Sequence, residues 1–352
     1  MAHSAATAPA LSQGVSAAGQ AGASEPPERR PWQRHTYGAL DLGTNNCRLL
    51  IARPVDGGFT VIDAFSRVVR LGEGLSQTGR LSPQAMDRAI AALDVCAEKL
   101  RRRSVSLARS VATEACRRAA NGREFVERVQ RETGIVLDII PPQEEARLAV
   151  LGCHKLLEPG DGPALIFDIG GGSTELVLID QVEGVPKIRS WWSAPWGVVS
   201  LTESEGREAL EGPERLAAYK RMRERVRRAF ASFADTLPRD SDDIRLLGTS
   251  GTVTTLASVH LALPAYDRRA VDGLHVPTGR MQEISTMIAE MDHEGRSRLP
   301  CIGRERADLV VAGCAILEAI LEIWPARNLG VADRGIREGI LRSLMARDGH
   351  QL

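Results

Sequence analysis

The sequence predicts an α/β protein built from two similar lobes, and three observations carry that prediction. A strand-turn-strand unit occurs twice, strand and helix signals alternate through both halves, and 352 residues are enough for two ordinary cores. The repeat is the most informative of the three. Asp41-Leu-Gly-Thr-Asn-Asn46 and Asp168-Ile-Gly-Gly-Gly-Ser-Thr-Glu175 each interrupt a pair of short apolar runs. Superposed, Asp41 meets Asp168, Gly43 meets Gly170, Asn46 meets Ser173, and the strands after them coincide. Duplication of one unit implies a duplicated fold, divided as residues 35–158 and 159–345.

In chain order, residues 1–34 are rich in Ala, Ser, Gly and Pro, without a basic segment leading into an apolar one. They are expected to form a disordered tail outside the fold. Residues 37–53 read as a β-hairpin around a Gly/Asn break, with a third strand through residues 59–64. Ser82 and Pro83 supply an N-cap and first-turn proline for a helix over residues 83–103. A strand over 106–112, a helix over 122–132, a strand over 136–140 and a helix over 143–157 follow. A turn-rich linker, residues 158–163, precedes the second hairpin at 164–180. The second half continues with a strand near 187–190, a charged helix over 213–233, and a strand at 244–247. That strand leads into Gly248-Thr-Ser-Gly-Thr252 and a helix through His260. Helices near 281–291 and 304–324, then a strand and a helix within 330–341, complete the chain.

Composition excludes several function classes. Lys plus Arg and Asp plus Glu both number 45, so no global charge favours nucleic acid or a membrane surface. No apolar run reaches the roughly 18 residues of a membrane span. The six cysteines form no C-x-x-C pair and lie mostly in apolar runs, as small core residues in a reducing compartment would. A cytoplasmic location follows as the expectation, with no specific nucleic-acid partner and no membrane.

Small residues after a strand allow backbone N–H groups to approach and cradle a phosphate. The three loops therefore nominate Gly43, Thr44, Asn45, Asn46, Gly170, Gly171, Gly172, Ser173, Thr174, Gly248, Ser250, Gly251 and Thr252 for substrate contact. The third loop sits at a positive helix end, though Thr or Ser there equally serves as a helix cap. Carboxylates beside such loops commonly hold Mg²⁺, which makes Asp41, Asp168 and Glu175 the candidate metal ligands. Glu144 and Glu145 open a helix between the lobes, where acids either stabilise the helix N-terminus or supply a base to the cleft. Arg117 and Arg118 lie at a strand exit, as a phosphate grip or as a solvated basic surface. Arg101, Arg102 and Arg103 end a helix and suit its dipole.

Taken together, these motifs, with Glu144-Glu-Ala-Arg147 and Arg337-Glu-Gly339, resemble the exopolyphosphatase and guanosine pentaphosphate phosphohydrolase (Ppx/GppA) family from Tyr37 to about Leu344. The resemblance implies two ribonuclease-H-like lobes of the actin-like ATPase superfamily, with the active site between them. It implies Glu145 as the base that activates water, Arg117 as a phosphate-gripping arginine, and Asp168 and Glu175 as residues that hold or position Mg²⁺. Polyphosphate or a nucleotide polyphosphate such as pppGpp is the implied substrate, and a homodimer is left open. The first loop departs from the family in reading Thr-Asn-Asn, which replaces a hydroxyl by an amide that still donates. Long members continue into a helical region resembling an HD phosphohydrolase domain. Since this sequence stops at Leu352, shorter chains or pppGpp are expected over processive action. A nucleotide-binding regulator without hydrolysis, and a sugar or acetate kinase, share the same loops.

Overall fold

The computed structural model describes residues 35–160, 162–182, 185–235 and 244–350. The expected tail, residues 1–34, lies outside the described residues. The first half contains β1 (Tyr37–Leu42), β2 (Asn46–Val55), β3 (Gly58–Val68), α1 (Leu75–Thr78), α2 (Pro83–Arg102), β4 (Leu107–Ala112), α3 (Glu114–Arg118), α4 (Gly122–Thr133), β5 (Leu137–Ile139) and α5 (Pro142–Cys153). The second contains β6 (Ala164–Ile169), β7 (Thr174–Val182), β8 (Val185–Ala194), α6 (Val198–Glu205), α7 (Arg207–Glu211), α8 (Arg215–Ala234), β9 (Arg245–Thr249) and α9 (Gly251–His260). It continues with α10 (Arg268–Val271), β10 (His275–Pro277), α11 (Thr278–Glu290), α12 (His293–Arg298), α13 (Gly303–Arg306), α14 (Val310–Ile323), β11 (Asn328–Ala332) and α15 (Ile336–Arg347).

The two sheets have one topology. The first runs β3-β2-β1-β4-β5, and the second runs β8-β7-β6-β9-β11 with β10 added at its edge. In both, an antiparallel three-stranded meander is extended by two strands parallel to the first, the duplication expected from the repeat and the ribonuclease-H-like lobe that the family resemblance implied. The correspondence extends to irregularities. The β2–β3 ladder shifts register at Ile51/Ala52, and the β7–β8 ladder shifts at the equivalent Leu178/Ile179. Both turns close in the same way, by Gly43 N–H to the Asn46 carbonyl and Gly170 N–H to the Ser173 carbonyl, each at 2.9 Å.

Local chemistry explains the boundaries. Ser82 Oγ accepts from Ala85 N–H at the start of α2, with Pro83 in its first turn. The helix predicted over 304–324 is interrupted between α13 and α14, because the buried guanidinium of Arg296 takes the Ala307 carbonyl at 2.9 Å and draws it out of a helical ladder. Helix α14 is buried on nearly every side, within the core it forms with α8 and α11. The helix predicted to reach Leu157 tightens into a 3₁₀ turn over His154–Leu156. All six cysteines are buried free thiols.

The lobes exchange one helix each. Ala146, Val150 and Cys153 of α5 pack on Ile166, Val177 and Ile179 of the second sheet. Ile336, Ile340, Leu341 and Leu344 of α15 pack on Tyr37, Ala39, Leu50 and Ala52 of the first. The division at residue 158 therefore describes the chain, while packing carries α15 back to the first lobe.

Candidate active site

The repeated turns face one another across a cleft. From the first lobe it is lined by Asp41, Gly43, Thr44, Asn45, Asn46, Arg48, Thr113, Glu114 and Glu145. From the second it is lined by Asp168, Gly170, Gly171, Gly172, Ser173, Glu175, Ser250, Gly251 and Thr252, and also by Arg306, Leu309 and Val310. The glycines of the second loop are explained by this approach. A Cβ on Gly171 would stand 2.9 Å from Thr44 Cβ, and one on Gly172 would stand 2.9 Å from Thr44 Oγ1. Gly251 opens the ten-residue α9 at the cleft with free space around it, so the positive end of that helix lies at the cleft wall.

Not every nominated residue reaches the cleft. Thr174 is fully buried and donates its hydroxyl to the Trp196 carbonyl at 2.7 Å, because alternation along β7 turns it to the face opposite Glu175. Gly248 lies within β9, where a Cβ would be 2.7 Å from the Phe167 ring, so it serves packing. Ser250 lines the cleft and also caps α9, its Oγ accepting from Val253 N–H at 3.1 Å. Arg117 lies on α3 instead of in a loop and is not among the lining residues. Its guanidinium donates to the Ile140 carbonyl at 2.7 Å and to Glu145 Oε2 at 3.1 Å.

The adjacent acids of α5 have opposite environments. Glu144 is turned outward between Arg109 and Arg147, each at 2.7 Å, and the hydrogen bonds from Arg147 and Arg109 hold its carboxyl down at about 2. Glu145 is buried in the cleft. Burial first, and the charge of Glu175 second, push its carboxyl well above the usual range, with Arg117 opposing them. Strand pairing sets Asp41 opposite Arg48 and Asp168 opposite Glu175. Burial raises Asp41, raises Asp168 to about 8 with help from Glu175, and raises Glu175 against the hydroxyls of Ser173 and Ser193.

Such an acidic floor suits a hard cation. Among the described residues no three His, Cys, Asp or Glu side chains are grouped so as to hold a metal ion by themselves. Mg²⁺ does not require such a cage, since one or two carboxylates, waters and substrate phosphates commonly suffice. Asp41 fits that role, for its Oδ1 is buried without a hydrogen-bond partner. Oε1 of Glu175, by contrast, already accepts from two serines.

Arg48, Glu114 and Arg306 were not singled out by the motifs. Arg48 was within reach, since the superposition that matches Asp41 to Asp168 also places Arg48 on Glu175, setting a cation against an anion. Arg306 had no such signal, because it reaches the cleft through the break before α14.

Fold and cleft together define a two-lobed phosphate-handling enzyme with duplicated binding turns. The Ppx/GppA phosphatase family model matches residues 50–348, and the chain belongs to that family, whose members are phosphoric anhydride hydrolases. Exopolyphosphatase 2 of Mycobacterium tuberculosis is 31% identical over 319 residues, covering 87% of this chain and 97% of that protein. The guanosine-5'-triphosphate,3'-diphosphate pyrophosphatase of Aeromonas hydrophila is 29% identical, covering 88% of this chain but 59% of that protein. The crystal structure of the Aquifex aeolicus family member is 33% identical and superposes with a TM-score of 0.72, covering 90% of this chain and 99% of that one. Among the described residues no helix is long and apolar enough to cross a membrane.

Proposed function

We propose that this enzyme hydrolyses the terminal phosphate of inorganic polyphosphate, with Glu145 as the general base. The observation that carries the reading is the contrast on α5. Glu144 is neutralised by two arginines outside the cleft, whereas Glu145 is buried within it with a carboxyl raised well above the usual range, as suits a base for water. Arg117 holds one carboxylate oxygen of Glu145, leaving the other to take a proton from water. N–H groups of the Gly170–Gly172 loop and of the α9 N-terminus would bind the oxygens on which charge accumulates during attack.

Asp41 and Asp168, with Glu175 behind them, would hold Mg²⁺. When bound, the cation would neutralise the acidic floor and offset negative charge on the transferred phosphoryl group. Arg48 would balance the remaining charge beside Asp41. As a second substrate, pppGpp shares the same chemistry at its 5' end, and the Aeromonas relative carries that name.

The test is phosphate release from short polyphosphate, long polyphosphate, pppGpp and ATP in Mg²⁺, by wild type and Glu145→Gln. Loss of the base is expected to lower kcat by about 10²–10⁴-fold. Turnover of Glu145→Gln near wild type would overturn the assignment, and a higher kcat/KM for pppGpp would make the nucleotide the substrate.

A further inference from the structure

Part of the cleft wall is a seam between lobes, where Thr44 and Glu114 of the first meet Gly172 of the second. Thr44, Glu114 and Gly172 line both the cleft and a smaller adjoining cavity, which Arg118 and Glu203 also line. At that seam the Glu114 carboxyl stands 3.2 Å from the position a Cβ on Gly172 would occupy. One of its oxygens, Oε1, lies 3.7 Å from an Arg118 nitrogen. The other, Oε2, is buried with no hydrogen-bond partner. A carboxylate with a free acceptor therefore stands beside the glycine N–H groups read above as the terminal-phosphate cradle.

That placement is unfavourable for binding an arbitrary stretch of polyanion, and the proposed function leaves this charge unused. A chain end differs chemically from a chain interior. The terminal phosphate keeps an oxygen that protonates near neutrality, at about 6 for a phosphate monoester, whereas an interior phosphate carries one negative charge and no such proton. A fixed acceptor accepts a hydrogen bond from the protonated end and repels a phosphate lying beyond it.

We propose that Glu114 is the residue by which this enzyme recognises a chain end, accepting a hydrogen bond from the terminal phosphate hydroxyl and repelling further phosphates at the seam. The inference rests on the reading of the cleft as a polyphosphate site. It makes removal of single terminal phosphates a consequence of a side chain as well as of cleft shape. Since the hydrogen bond involves a charged partner, its loss corresponds to about tenfold or more in affinity.

The experiment compares binding of linear pentaphosphate with a pentaphosphate esterified at both ends, by calorimetry in Mg²⁺, in protein carrying Glu145→Gln to suppress turnover, with Glu114 intact or replaced by Gln or Asp. With Glu114 intact the protein is expected to prefer the free-ended chain. Glu114→Gln should lose at least about tenfold of that preference, and Glu114→Asp should restore part of it. With Glu114 intact, affinity for the free-ended chain should weaken as pH rises through the terminal ionisation, while affinity for the esterified chain should not. An unchanged preference in folded Glu114→Gln, or the same pH response for both ligands, overturns the inference. Failure of the wild type to release phosphate from polyphosphate would instead overturn the proposed function.

Discussion

Adjacent residues of one motif can have unrelated duties, and the first turn of α5 separates them by direction alone. Successive positions on a helix point about a quarter-turn or more apart, so Glu144 meets Arg109 and Arg147 while Glu145 enters the cleft. Charge type and spacing could not distinguish them before the arginines were located. Glu144→Gln is expected to keep kcat/KM within about threefold of wild type, since a surface ion pair contributes at most about 1 kcal/mol and touches no substrate. Parallel steady-state assays of the Gln variants at the two positions check this, and a loss at Glu144 equal to that at Glu145 would mean that the pair acts together. The Arg337-Glu-Gly339 signature shows the same division. Glu338 accepts from Gly335 N–H at 2.9 Å and from Arg268 at 2.7 Å, which caps α15 instead of contacting the cleft.

Elements tie these residues in place, and some of the ties depend on pH. Asp63 on β3 accepts from Lys99 at 2.7 Å and from Arg103 at 2.8 Å, fastening the end of α2 to the sheet. Those hydrogen bonds lower its carboxyl from 3.8 to about 2. A depressed acid contributes stability above its unfolded value and loses it as pH falls through the folded one, here between about pH 4 and 2. Asp63→Asn should therefore lower the melting temperature near neutrality and flatten its fall across that acid window. An unchanged acid profile in calorimetric melts would remove Asp63 from the account. The basic run at residues 101–103, read from sequence as dipole compensation alone, thus includes a tertiary anchor at Arg103. The repeated turns and the capped start of α2 were legible because they depend on local chemistry. The α13–α14 break and the inward turn of Thr174 were not, because they depend on a distant guanidinium and on strand register.

At the scale of the molecule, the lobes are joined by the crossing of the two exchanged helices, and that crossing is set by glycines. A Cβ on Gly339 of α15 would stand 2.0 Å from the Leu148 carbonyl oxygen, and one on Gly152 of α5 would stand 2.0 Å from the Gly335 carbonyl oxygen. Neither neighbour can move independently, because each is backbone of a packed helix. The added methyl must therefore push α5 and α15 apart. Since α5 carries Glu145, separation at the crossing displaces the proposed base as well as weakening the fold. Gly339→Ala is expected to cost about 1–3 kcal/mol, the usual range for overpacking, and to lower kcat at saturating substrate. Gly279→Ala is the control, because that glycine begins α11 with nothing within 4 Å of its added Cβ, and alanine there should leave stability unchanged or raise it by up to about 1 kcal/mol. Denaturant unfolding of both variants with phosphate-release assays decides the matter. If Gly339→Ala loses stability while kcat holds, the crossing supports the fold without aiming Glu145, and the positioning of the base must come from Arg117 and the Ile140 carbonyl alone.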